Sequence, residues 1–199
     1  MKRITITLLA ALLGGCSLTA PAPEQRFHVL DVPVPVASAP GASRRAVTLL
    51  VAPTTAAAFY DSQDIVFSRT AGTRGTYQFS GWTEAPSRRL NTLLLARLDR
   101  AGAFATVAPA TSGVHGDLLL RTHLEEVFHD ATTPPGTARV VLSAELSDRS
   151  KRQLLARQTF SAVVPVASYD VDGAVRGIGL ATGQLLDEVV AWVDRSAPR

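Results

Sequence analysis

The chain has almost no sulfur chemistry: one cysteine, Cys16, and one methionine, Met1, among 199 residues. A single thiol excludes an intramolecular disulfide and a cysteine-rich zinc site, so the fold must hold by packing alone. A dominant charge is missing as well. The formal net charge is +3, from 20 Lys and Arg against 17 Asp and Glu. No run of five like charges occurs, and Arg44-Arg45 lies far from Arg88-Arg89. Nucleic-acid binding ordinarily needs a clustered basic face, so no nucleic-acid partner is expected. Reaction motifs are absent: there is neither a Gly-x-Ser-x-Gly elbow nor a His-Glu-x-x-His helix. No enzyme activity, catalytic residue, metal or cofactor is expected. His123, Glu125 and His129 share one alternating face, but residues six apart lie about 20 Å apart along a strand, too far for one ion. Asp61 and Asp64 read as turn residues.

What is present begins at the N-terminus. Met1-Lys2-Arg3 precedes an apolar run from Ile4 to Leu13, then Leu13-Gly14-Gly15-Cys16. A charged start, about ten apolar residues and small residues at a cleavage point make a secretory signal peptide. The run is too short to span a bilayer, which takes about 20 apolar residues. Its Leu-x-Gly-Cys ending resembles the lipobox of bacterial lipoproteins, where the cysteine sulfur is diacylated and cleavage leaves Cys16 as the acylated first residue. Ser17 behind it resembles the pattern that directs such proteins to the outer membrane of Gram-negative bacteria. The alternative is an ordinary signal peptide with a cysteine nearby. One myristoyl chain binds membranes with a constant of only about 10⁴ M⁻¹, and two or three chains on one residue exceed what stable anchoring takes.

Removing residues 1–15 takes Lys2 and Arg3 away and leaves 18 basic against 17 acidic side chains. The remainder, roughly 184 residues, falls in the one-domain range. The expected organisation is therefore a signal peptide over 1–15, an acylated tether over 16–25 and a single periplasmic domain over 26–199. Thr19-Ala20-Pro21-Ala22-Pro23 has the composition of a tether, not a core.

Short strands are expected at Phe27–Leu30, Val47–Val51, Asp64–Ser68, Thr76–Ser80 and Phe104–Val107, with Gly72–Gly75 turning a hairpin. Val32-Pro33-Val34-Pro35-Val36 is extended, since proline donates no ladder hydrogen bond, and the chain stays loop-like through Pro40-Gly41. Ala56 to Tyr60 suits a helical turn. A helix starts at Pro86, carries Leu90, Leu93, Leu94, Leu98 and Ala101 on one face, and stops at Gly102.

Then comes the clearest pattern. Leu118, Leu120, Leu124 and Phe128 alternate with Arg121, His123, Glu125 and His129. Val140, Leu142, Ala144 and Leu146 follow with the same period, then Leu154, Ala156, Phe160, Ala162 and Val164. Period two with one apolar face gives an antiparallel meander, with Gln158 an unexplained polar residue on the buried register. The last helix is capped by Asp170 or Asp172 and buries Val175, Ile178, Thr182, Leu185, Leu186, Val189 and Val193. Its Gly177, Gly179 and Gly183 have the wrong spacing for a phosphate loop and suit close helix packing. The fold class is α+β: a mixed, largely antiparallel sheet with a three-stranded C-terminal meander and two amphipathic helices packed on it.

The succession Phe59-Tyr60-Asp61-Ser62-Gln63-Asp64-Ile65-Val66-Phe67-Ser68-Arg69, then Tyr77, Trp82, Glu84, the leucine-rich helix and Ala103-Phe104-Ala105-Thr106-Val107, together with the lipobox, resembles the ABC-type transport auxiliary lipoprotein family, the PqiC-like lipoproteins. The likeness runs from Phe27 through the last helix. Gly81-Trp82-Thr83 departs from it, where members often carry a basic or polar residue before the Trp and an Ala after. The resemblance implies an outer-membrane lipoprotein that works with an MCE-domain protein and an inner-membrane permease or ATPase, moving phospholipids or other hydrophobic molecules between membranes. On that reading the partner or ligand surface would use Phe59, Tyr60, Tyr77 and Trp82. Core filling is the competing role for these aromatics. A homo-oligomer, as ring or collar, fits an accessory role without a heptad or apolar strip to argue for it. Two other readings stay open: a lipoprotein that itself binds a lipid or another hydrophobic ligand, and an envelope hydrolase with an unrecognised site.

Cys16→Ser is expected to abolish acylation and release the protein from membranes, read by mass spectrometry and membrane fractionation. Unchanged membrane retention would refute the anchor.

Overall fold

A computed structural model of the chain describes residues 24–32 and 44–198. The signal peptide, Cys16, most of the tether and the proline-bearing stretch from Pro33 through Gly41 lie outside the described residues. In chain order the elements are β1 (Arg26–His28), β2 (Arg45–Val51), β3 (Thr55–Ala56), β4 (Asp64–Ser68), β5 (Gly75–Trp82), α1 (Pro86–Ala101), β6 (Phe104–Pro109), β7 (Leu118–Asp130), β8 (Thr137–Asp148), β9 (Gln153–Pro165) and α2 (Val171–Ser196). A 3-10 turn covers Ala58–Tyr60.

All nine strands of the described residues join one sheet around β7. One edge of β7 pairs with β8 along its whole length, from Leu118 opposite Asp148 to Asp130 opposite Thr137. The other edge takes three short parallel strands in turn: Leu49–Val51 beside Leu118–Leu120, Thr55-Ala56 beside His123-Leu124, and Phe67-Ser68 beside His129-Asp130. Beyond these, β6 adds parallel to β2, β5 antiparallel to β4, and β1 parallel to β5. On the opposite side β9 completes the antiparallel meander and, among the described residues, pairs only with β8. The mixed sheet and the closing meander agree with the sequence reading. The long ladders are antiparallel, and the parallel pairings are short.

Both helices lie on one face. Pro86 opens α1, where its missing N–H is not needed, and Gly102 ends it with φ 66, a conformation glycine takes without a Cβ clash. Leu90, Leu94 and Leu98 are buried, Leu93 is half-buried and Ala101 is exposed, so the buried stripe is narrower than the sequence suggests. Asp170 caps α2, its Oδ1 accepting the Gly173 N–H at 2.8 Å. Ile178, Leu185, Leu186, Val189 and Val193 are buried against Leu120, Leu142 and Leu146 of the sheet. Each such side chain contributes roughly 1.5–3 kcal/mol on burial. Gly177 lets α2 touch the sheet: a Cβ there would lie 2.7 Å from Val166 Cγ1 and 2.9 Å from the Ala138 methyl. At Gly179 the Asp31 carbonyl presses on the helix. These glycines serve packing.

Two local features depart from the expected alternation. A register shift between Leu124 and Glu126 turns β7 by one residue. Val127 and His129 then join the core face beside Val140 and Ala138, while Phe128 faces the other side. Accordingly, His129 does not share a wet face with His123 and Glu125; it is fully buried. Gln158 lies opposite Ala144, on the same face as Phe160. Trp192 of α2 covers Phe160, with ring centroids 5.7 Å apart. Gln158 stands one pair further along an edge strand and is exposed, which resolves the anomaly.

Three turn carboxylates make the fold acid-sensitive. Asp170 is held below its ordinary 3.8 by the Gly173 N–H and then the Ser168 hydroxyl. Asp148 is lowered by the Lys151 N–H and then the Ser150 hydroxyl, and Asp130 by the hydroxyl and N–H of Thr132. A carboxyl lowered by folding adds stability that is complete above about pH 4 and disappears as pH falls through the folded-state value. The thermal midpoint should therefore drop below about pH 4, and Asp148→Asn and Asp170→Asn should each reduce that drop. A midpoint that stays level through the acid range would contradict this.

Candidate functional site

Because both helices pack on one face, the opposite face of the β7–β8–β9 meander is open. Its side chains fall in rows across the three strands. Leu119, Ser147 and Leu154 form one row, Arg121, Glu145 and Arg157 the next, and His123, Ser143 and Thr159 the third. Leu154 is 48 % exposed despite its apolar character. The first two rows and the turn from β8 to β9 enclose an open groove of about 410 Å³. Arg121, Arg149, Arg152 and Arg157 line it with the carboxylates of Glu145 and Asp148. Glu145 pairs with Arg157 at 2.6 Å, and Asp148 accepts from the Ser150 hydroxyl at 2.7 Å and the Lys151 N–H at 2.9 Å. Positive charge is left over. Sequence reading missed this groove because its arginines are scattered over 37 positions, and only the registers of two ladders bring them together. The signal was present in Arg121, Glu145 and Arg157, all on the polar side of alternating strands.

The aromatics singled out from sequence separate. Trp82 is 1 % exposed and belongs to the core, so it offers no surface. Tyr60 is buried as well, and its hydroxyl accepts from Arg74 Nε at 2.9 Å. The Arg74 guanidinium lies 3.8 Å from the centre of the Phe128 ring and 3.4 Å from Glu126, which also holds Arg139 at 2.7 Å. This cluster seals the side of the sheet where the register shift placed Phe128. Phe59, 51 % exposed, meets Tyr60 edge-on with centroids 5.7 Å apart and is the one of the four that presents a ring to solvent.

Tyr77 is half-buried and belongs to a hydrogen-bonded chain. Its hydroxyl lies 2.8 Å from His129 Nδ1, and His129 Nε2 lies 2.9 Å from the Pro135 carbonyl. A carbonyl only accepts, so Nε2 carries the proton and the Tyr77 hydroxyl donates to Nδ1. Burial pushes the Tyr77 hydroxyl up to about 12, against its ordinary 10, which keeps it a donor. Tyr169 closes over His129 edge-on and donates its hydroxyl to the Ala131 carbonyl at 3.0 Å. Every polar atom of this chain is consumed in fastening the β7–β8 turn to β5 and the start of α2. His123 is elsewhere, with Nδ1 2.8 Å from Thr55 Oγ1. Asp61 and Asp64 accept from the Ser87 and Ser62 hydroxyls. Among the described residues no group of three or more His, Cys, Asp or Glu side chains is placed to hold a metal ion. No described helix is long and apolar enough to cross a membrane.

The fold is shared with solved structures. Protein XCC0632 from Xanthomonas campestris, of the DUF330 family, superposes with a TM-score of 0.72 at 24 % identity, over 87 % of this chain and 94 % of that one. The hypothetical protein CT253 from Chlamydia trachomatis superposes with a TM-score of 0.55 at 11 % identity, over 76 % of this chain and 98 % of that one. At these identities the likeness concerns the fold. No curated protein matches the chain by sequence. The family model for the ABC-type transport auxiliary lipoprotein component matches residues 28–190. That stretch takes in eight of the strands, all of α1 and most of α2, so the chain belongs to the ABC-type transport auxiliary lipoprotein family, a transport family and not one of enzymes.

Proposed function

We propose that the protein is the outer-membrane-anchored accessory of an MCE-type ABC transport system that moves phospholipid or other hydrophobic molecules between membranes. Acyl chains on Cys16 hold it to the outer membrane, and the domain faces the periplasm. There it docks on an MCE-domain protein and, through that protein, works with an inner-membrane permease and ATPase. Family membership over residues 28–190 carries this reading. The Leu13-Gly14-Gly15-Cys16 ending supports the anchor.

The packing favours docking over lipid storage. The space between sheet and helices is filled by Leu90, Leu94, Leu98, Leu120, Leu142 and Ile178, all under 2 % exposed. Such an interior is packed as densely as an organic crystal, and an acyl chain could enter only by displacing it. The open surface is instead the outer face of the meander.

Full-length acylated protein, crosslinked in cells and recovered by affinity pull-down, should enrich an MCE-domain protein together with a permease or ATPase, read by mass spectrometry. Recovery of peptidoglycan-associated or outer-membrane assembly proteins in their place would overturn the proposal.

A further inference from the structure

We propose that the arginine groove at the turn end of the β7–β8–β9 meander binds an extended, acidic segment of a partner protein. The inference rests on the docking reading for the existence of a partner, and it adds the place and the chemistry of the contact. Charge is the first argument. Arg157 is matched by Glu145, and Asp148 is engaged by Ser150 and Lys151, whose Nζ lies 3.4 Å from it. The side chains of Arg121 and Arg152 form no ion pair or hydrogen bond with any described residue, and the Arg149 side chain has a single weak contact, 3.4 Å, to the Gly116 carbonyl. Three guanidiniums therefore face the groove without a carboxylate. Arginine pairs with carboxylates through two parallel N–H···O bonds, and such charge-assisted bonds are about twice as strong as neutral ones.

The second argument is the backbone of the turn. Arg152 has φ 54, the left-handed region, and it is the only non-glycine among the described residues with a positive φ. Asparagine or glycine takes that conformation at less cost. The arginine held in that conformation lines the groove. Local strain of this kind gathers at ligand-binding positions.

The third argument fixes the shape and class of the occupant. β9 is an edge strand whose outer backbone groups pair with nothing described, and it borders the groove. An extended segment can add to such an edge through main-chain hydrogen bonds while its alternate side chains reach the sheet face. Carboxylates two residues apart on that segment repeat about every 6.8 Å. Position argues for protein over membrane. The described chain enters at the far end of the sheet, where Arg26 meets Asp172 at 4.0 Å and the start of α2 lies on Ala138 and Val166. From Ala138 to Asp148 along β8 is about 34 Å, so the groove is at the end away from where the described chain begins.

The test uses the full-length chain in zwitterionic detergent. The probe is a labelled peptide of about ten residues alternating Glu and Thr, a strand-prone acidic pattern. The acidic peptide should bind, weaken as salt rises and shrinks the Debye length, and perturb amide NMR signals of residues 153–158. Arg121→Gln and Arg152→Gly should each weaken binding about tenfold. Arg152→Gly should do so with the thermal midpoint unchanged or raised, because glycine suits that φ; a merely structural arginine would give the reverse. Equal binding of a Gln-Thr peptide, or no loss in both variants, would overturn the proposal. So would binding of phosphatidylglycerol vesicles, but not the peptide, through the same arginines, which would make the groove a headgroup site. Failure here would leave the pull-down result standing, and failure of the pull-down would leave peptide binding measurable.

Discussion

The constraint on which the structure depends is the double pairing of β7. One edge is satisfied by a single long antiparallel partner, and the other by three short parallel strands laid end to end along it. A buried strand must satisfy the N–H and C=O groups on both edges, and here the second edge is completed only when residues from Leu49 to Ser68 have taken their places. β2 also pairs with β6 and β4 with β5, but β6, β5 and β1 reach β7 only through them among the described residues. Loss of β7 would therefore disconnect the N-terminal half of the sheet from the meander.

The helical layer is fastened to this sheet and to itself by a few specific contacts. Arg97 on the buried side of α1, 6 % exposed, pairs with Asp187 of α2. Breaking such a pair would leave a charge inside the protein, which is far costlier than losing a surface ion pair. At the other end of α2, Arg45 of β2 bonds the Asp194 carboxylate and, at 2.7 Å, its carbonyl. With two helices tied to one face, the other face is left for contact. The described chain begins beside the start of α2, at the end of the meander opposite the groove.

Much of this was legible in the sequence. The meander and both helices follow from apolar period and caps, because those signals are local: Leu90, Leu94 and Leu98 repeat at helical spacing, and Val140 through Leu146 alternate. Features that depend on distant pairing were not. Nothing near Leu124 announces the register shift that carries His129 into the core, since the shift is set by how β7 meets β8. The parallel placement of β2, β3 and β4 likewise depends on residues some seventy positions away. Tyr60 and Trp82 were candidates for the surface with core filling the favoured alternative, and packing decided for the core, leaving Phe59 outside. The arginine groove was invisible for the same reason: its residues converge only when two ladders are in register.

Native-state hydrogen exchange tests the organising role of β7 most directly. Core-strand amides exchange only through global unfolding, whereas peripheral elements open at lower free energy. The account predicts that amides of Leu120, Leu124 and Val127 share the highest opening free energy in the protein, with β2 and β4 close behind and β1 opening first. If β7 exchanged through a smaller opening while β8 and β9 stayed protected, the meander would be stable without its central strand. The architecture argued from β7 outward would then be wrong.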